Sequence, residues 1–276
     1  MSPDVESRAV IGRRLRAARQ ERGFTVREMA RAVEVSVGTW SAIENGKAPA
    51  GHARLHAASR VLSVDLDDLL GLWLRPVEQP ATWRDFPPLD LAPPLRGALL
   101  AFVELGYHGS TVREIATRAG LSVPGVYHHW TSKQQLLVAL LDVTMDDLLA
   151  RAGLARSETD GPTPRLCNLV ECLALFHTYR RELGFLGASE MRSIAEPDRT
   201  RIAALRTNMQ RMVDEEVLEG VRRGEFRVVR PKEAARAVVS LCTALPQWWT
   251  ASGPTTPEQT AAHYVEYALD LVRHTI

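Results

Sequence analysis

The tetrapeptide Thr-Val-Arg-Glu occurs twice in this chain, at residues 25–28 and 111–114, and each copy opens a segment of the same design. In each, the Thr can cap a helix N-terminus while the Glu three residues later folds back onto the Thr N–H, the reciprocal capping box. An apolar pair follows, Met29-Ala30 in one and Ile115-Ala116 in the other, and eleven residues after each Thr comes a Ser-Val pair, Ser36-Val37 and Ser122-Val123. At ~3.6 residues per turn this leaves about two turns of helix, a tight turn and a fresh helix start. The small Ala30 and Ala116 fall where two such helices approach closely, and Gly120 supplies the backbone freedom of a sharp turn. A single capping box is common; two with matching internal spacing predict two short helix pairs of one kind.

Around these pairs the apolar residues recur with helical period. Residues 8–73 read as a run of short helices, beginning on the face of Ile11, Leu15 and Ala18 and closing at Leu69-Leu70-Gly71. From 74 to 94 the prolines 76, 80, 87, 88, 93 and 94 remove helix donors and predict a semi-rigid linker. Helical periodicity resumes at Leu95 and dominates to the end, with Ser132 and Gln135 opening a long helix to about Ala152, a loop over 153–164, and helices near 165–183, 198–223, 231–250 and 257–274. With no useful strand pattern, the predicted class is all-α, in domains 8–73, 95–138 and 139–276.

Composition restricts the function classes. The chain has 276 residues, 45% hydrophobic and 24% charged, as in an ordinary globular protein of more than one domain. Its net charge of +1 hides eight arginines (8, 13, 14, 16, 19, 22, 27 and 31) at the N-terminus, a basic surface suited to a polyanion or a solvated helix face. Cys167, Cys172 and Cys242 lack paired ligand spacing, so neither a disulfide framework nor a metal site is expected. The adjacent His128 and His129 point ~100° apart on a helix, which argues against a shared metal. No cofactor, membrane span or signal peptide is expected, which predicts a reduced, cytoplasmic protein. An enzyme is not indicated, since neither a nucleophile elbow nor a Gly-rich phosphate loop appears.

The stretch FTVREMARAVEVSVGTWSAIENGK resembles the Cro and phage-repressor (XRE) family of helix-turn-helix domains. In that family the second helix enters the major groove. The matching positions here, Val37, Gly38 and Ala42, cannot make bidentate hydrogen bonds to bases; Val37 can at most touch a thymine methyl. Glu34 stands in place of the usual turn Gly. Contacts to phosphate are expected from Thr25, Arg27, Thr39, Ser41, Asn45 and Lys47. Two readings stay open: a module that touches DNA with poor base readout, or a fold kept for protein contacts.

The stretch GYHGSTVREIATRAGLSVPGVYHHWTSK resembles the DNA-binding domain of TetR-family regulators, and the likeness extends over residues 91–276. The resemblance implies base contacts from a recognition helix capped by Ser122, where small Val123, Pro124 and Gly125 let backbone approach the groove. It implies phosphate contacts at Thr111, Val112, Tyr127, His128 and Lys133. Trp130 is expected in the core.

For the remainder, the same resemblance implies a ligand cavity and a homodimer through the last two helices. Phe176, Tyr179, Arg180, Phe185, Met191, Met209, Met212 and Trp248 are the expected cavity residues, an apolar lining with an arginine near its mouth, although such stripes also serve as plain core. The ending WWTASGPTTPEQTAAHYVEYAL is similar to TetR members that control lipid or steroid breakdown and respond to acyl-CoA thioesters. The expected partners are thus a double-stranded DNA operator, a small apolar effector such as an acyl-CoA, and a second copy of the chain. The expected activity is ligand-released repression, the alternative a constitutive or architectural DNA-binding protein without effector.

Overall fold

The computed structural model describes residues 3–64, 80–130 and 132–273. Within them the chain is all-helical: α1 Pro3–Glu21, α2 Val26–Ala32, α3 Val37–Glu44, α4 His52–Leu62, α5 Pro93–Gly109, α6 Val112–Ala119, α7 Val123–His129, α8 Lys133–Ser157, α9 Pro162–Tyr179, α10 Arg181–Ser189, a 3-10 turn Met191–Ser193, α11 Asp198–Arg223, α12 Pro231–Trp248 and α13 Pro257–Leu271. The expected closing Leu69-Leu70-Gly71, and Pro76 of the expected linker, lie outside the described residues. Helices α1 to α4 and α7 fall in one compact unit, the other helices in a second.

In the first unit, Ile11 and Leu15 of α1, Met29 and Ala30 of α2, Trp40 and Ile43 of α3, and Leu55, Ala58 and Leu62 of α4 close a small core. Gly12 lets α1 meet the end of α3, since a Cβ there would stand 2.5 Å from the Ile43 carbonyl oxygen. A buried polar pin crosses the same contact. Arg19 Nε donates to Glu44 Oε1 at 2.5 Å, Trp40 Nε1 donates to the same oxygen at 2.7 Å, and Arg19 Nη1 donates to the Phe24 carbonyl at 2.8 Å. The turn between α2 and α3 passes through Glu34 at φ 57°, a left-handed conformation that costs a residue with a Cβ about 1–2 kcal/mol.

In the second unit, α9 is the central helix. Its residues Leu166, Leu169, Val170, Cys172, Leu173 and Phe176 are all buried, packed by α8, α11, α12 and α13. Each such apolar side chain contributes roughly 1.5–3 kcal/mol of burial. Burial pushes the Cys172 thiol up to about 12, so it is packing rather than a nucleophile. Two helix limits differ from the sequence expectation. The expected loop over 153–164 shrinks, because α8 continues to Ser157 and α9 starts at Pro162. The single helix expected near 165–183 breaks at Arg180, whose backbone leaves the helix at φ −107°, ψ 40°.

Residues 80–92, expected as linker, instead hold to the second unit as a strap. Trp83 is 3% exposed and its Nε1 donates to Glu158 at 2.8 Å. Arg151 Nη1 donates to the carbonyls of Trp83 (3.1 Å) and Asp85 (2.5 Å), and Arg180 Nη2 to that of Pro87 at 2.8 Å. The Phe86 ring stacks on Tyr179 at 4.9 Å and faces the Arg151 guanidinium at 3.8 Å. Prolines forbid helix, but they leave carbonyls free, and these arginines use them.

Candidate nucleic-acid interface and effector cavity

The repeated tetrapeptide folds twice into the same cap. Thr25 Oγ1 accepts from Glu28 N at 3.2 Å while Glu28 Oε2 accepts from Thr25 N at 2.7 Å; Thr111 and Glu114 repeat the pair at 3.2 and 2.7 Å. These bonds hold both carboxyls below the usual glutamate range, the backbone bond from the Thr being the larger cause. The second helices are capped alike, Ser36 Oγ accepting from Thr39 N at 3.0 Å and Ser122 Oγ from Gly125 N at 3.1 Å. Gly120, at φ 67°, makes the turn before α7 without the strain that Glu34 bears before α3.

The two pairs part in what they present. On α7 and its cap, Ser122, Pro124 and Tyr127 (47% exposed) face solvent and Val123 and Gly125 are half-buried, while Val126 and Trp130 turn inward. Val112 is half-buried at the start of α6. The His128 side chain lies outside the described residues. On α3, Val37 is 45% exposed and Thr39 and Ser41 half-buried, beside exposed Thr25, Arg27 and Lys47. Asn45 is engaged at both ends of its amide, Nδ2 donating to the Ser41 carbonyl at 2.7 Å and Oδ1 accepting from Arg16 at 2.7 Å. The basic run is likewise part internal: Arg16 and Arg19 hold α3, and Arg22 Nη2 donates to the Ser63 carbonyl at 3.1 Å.

Lys133 does not stand as a free point charge. Its Nζ donates to the carbonyls of Tyr107 (2.6 Å) and Ser110 (2.8 Å) and lies 4.3 Å from the Tyr107 ring centroid, closing the end of α5. Burial draws its pKa down. That end is broken at Gly106 (φ 72°), and Glu190 repairs the break: its Oε1 accepts from Tyr107 N at 3.2 Å and its Oε2 from Ser193 Oγ at 2.7 Å.

A cavity of about 400 Å³ lies among α8, α9, α10, α11 and α12. Of the expected residues Phe176, Met191 and Met209 line it. The others have different work. Arg180 bonds Asp147 and the strap, Tyr179 stacks on Phe86, Met212 of α11 packs against the core, and Phe185 is half-buried outside the lining. Trp248 is 57% exposed at the end of α12. Sequence reasoning missed Thr144, His177, Arg206, Gln210 and Arg236, which line the cavity. The i, i+4 spacing of Arg206 and Gln210 puts both on one face of α11, but nothing in the sequence told which face was hollow. Burial pushes His177 down to about 4.

Residues 95–140 match the model of bacterial regulatory proteins of the tetR family, residues 159–272 the tetracyclin repressor-like C-terminal domain, and residues 10–72 a helix-turn-helix domain. The chain belongs to the TetR family. Like the rest of that family it is a DNA-binding transcriptional regulator rather than an enzyme, and family members act as dimers. Among relatives of this TetR-family chain, the HTH-type transcriptional repressor KstR2 of Mycobacterium tuberculosis is 28% identical over 183 residues, 63% of this chain and 90% of that protein. The transcriptional activator FasR of Mycolicibacterium smegmatis is 40% identical over 81 residues, 28% of this chain and 37% of that protein. A tetR-family regulatory protein of Rhodococcus RHA1 superposes with a TM-score of 0.63 at 27% identity, covering 68% of this chain and all of that one. AibR, solved with isovaleryl coenzyme A and operator DNA, shares the fold, with a TM-score of 0.58, 23% identity and coverage of 66% and 97%. No helix among the described residues is long and apolar enough to cross a membrane.

Proposed function

We propose that this regulator is a homodimeric repressor that leaves its operator when an amphipathic small molecule, such as an acyl-CoA thioester, enters the second unit. The observation that carries this reading is the cavity, whose lining combines buried apolar side chains Leu148, Leu173 and Phe176 with the exposed residues Arg206 and Arg236. That combination suits an apolar chain joined to an anionic group. Leu241, Trp248, Tyr267 and Leu271 are large exposed apolar side chains on α12 and α13, which supports a dimer face there.

In this reading α7 reads bases from Ser122 to Tyr127, with Thr111 and Val112 at phosphate, and two such heads meet half-sites about one helical turn (~34 Å) or a multiple apart. The domains are then 8–73, 95–138 and 139–276, the first adding phosphate contacts through Thr25, Arg27, Thr39 and Lys47. Driving release from ~1% to ~99% demands roughly 10⁴-fold preference of effector for the released state.

Fluorescence anisotropy on selected operator DNA, with an acyl-CoA series added, tests the reading. Release at micromolar acyl-CoA is expected; unchanged DNA affinity across the series would leave a constitutive DNA-binding protein instead. A footprint of the full chain against a chain starting at residue 80, which keeps the strap, reports whether the N-terminal unit extends the site.

A further inference from the structure

On the cavity wall, His177 Nε2 takes no hydrogen bond from a described residue. His177 is 5% exposed on α9 and lines the cavity, and its Nδ1 lies 2.7 Å from the Leu173 carbonyl oxygen. A carbonyl oxygen only accepts, so the ring proton sits on Nδ1, and Nε2 keeps a bare lone pair while the ring is neutral. Neutral it stays, because burial chiefly, and the Arg206 guanidinium in addition, lower its pKa to about 4 against the pull of the Leu173 bond. Among the described residues, Arg206 and Arg236 are the charged groups of the lining and no carboxylate lines the cavity.

The surrounding side chains do not meet this acceptor. Thr144 Oγ1 donates to the Leu140 carbonyl at 2.7 Å, Thr207 Oγ1 to Ala203 at 2.9 Å and Thr243 Oγ1 to Ser240 at 3.1 Å. Gln210 Nε2 donates to Asp214 at 2.8 Å, and Arg206 Nη1 to the Gly187 carbonyl. The three threonines and Gln210 thus bond within their own helices and Arg206 reaches across to α10, so none of these donors meets the acceptor of the buried imidazole. A bound molecule that offers only methylene there leaves a buried acceptor unpaired, which is costly.

We infer that the effector carries a hydroxyl, or another O–H or N–H donor, at the end that enters first and gives its proton to His177 Nε2, while its anionic end stays at the mouth with Arg206 and Arg236. The inference rests on the proposed effector cavity and narrows its occupant from any apolar chain to a hydroxylated one. A ketone at that position is rejected, since two acceptors would face each other.

Calorimetric titration of the full chain with plain and ω-hydroxylated acyl-CoA pairs of decreasing length, from dodecanoyl-CoA and 12-hydroxydodecanoyl-CoA downward, tests it. At the length that spans mouth to His177, the hydroxylated member is expected to bind about tenfold tighter than its parent, and His177→Phe to reverse that preference. Should the Phe ring disturb packing beside Gly184, ¹⁵N spectra of histidine-labelled unaltered protein give the same answer: the hydroxylated probe shifts the Nε2 resonance and the parent does not. Plain chains binding as well as or better than hydroxylated ones at every length would overturn the hydroxyl inference and leave the cavity reading intact. No binding by either series would overturn both.

Discussion

Asp147 and Arg180, on α8 and just beyond the end of α9, meet in the interior at 3.2 Å, and the same carboxylate takes Arg151 Nε at 2.6 Å. One carboxylate therefore serves two guanidiniums. The balance comes from strap carbonyls at Trp83, Asp85 and Pro87, which accept without carrying a full charge.

Asp147→Asn would leave both guanidiniums buried without a counter-charge. A loss of about 3–5 kcal/mol is expected, read as a lower urea midpoint of the C-terminal unit and faster proteolysis between residues 80 and 92. Unaltered proteolysis would show that the strap is held by Phe86 packing alone.

Glu190 joins a wall of the cavity to the end of α5, since it precedes Met191 of the lining and caps Tyr107 beyond the Gly106 break. Glu190→Ala is expected to weaken operator binding about tenfold while the thermal midpoint moves little. Anisotropy and calorimetry on the same preparation separate the two. A fall in midpoint without loss of DNA affinity would assign Glu190 to stability only.

For His177, the folded chain takes up a proton only near pH 4, the unfolded chain near 6.5. Between those values the unfolded state holds the extra proton. Stability is thus complete above about pH 6.5 and falls as pH drops toward 4, by on the order of 3 kcal/mol. Urea titrations at stepped pH check the window, and His177→Gln should flatten it.

Glu34 bears left-handed strain at the turn of the first helix pair. Replacing it by Gly should stabilise the N-terminal unit by about 1 kcal/mol, seen as a higher midpoint for its transition. Arg19→Ala should act in the opposite sense, because Glu44 and Trp40 lose the cation that ties them to α1.

Much of the helical design was legible because caps are local. Thr25 with Glu28, and Thr111 with Glu114, needed only three residues of chain to declare themselves, and the structure forms both. The cavity was not legible in this way. Phe176, Met191 and Met209 come from three elements, and whether a Met stripe fills a core or borders a hollow depends on how far apart those elements stand, which no periodicity records. Arg180 and Lys133 misled for a related reason: a cation in a sequence reads as free, yet both spend their donors on main-chain carbonyls.

A chain cut back to residue 95, where the family match begins, would lose the strap carbonyls that accept from Arg151 and Arg180. The second unit would then need compensating changes around these two guanidiniums, so residues 80–92 serve as part of that unit's interior rather than as a tether.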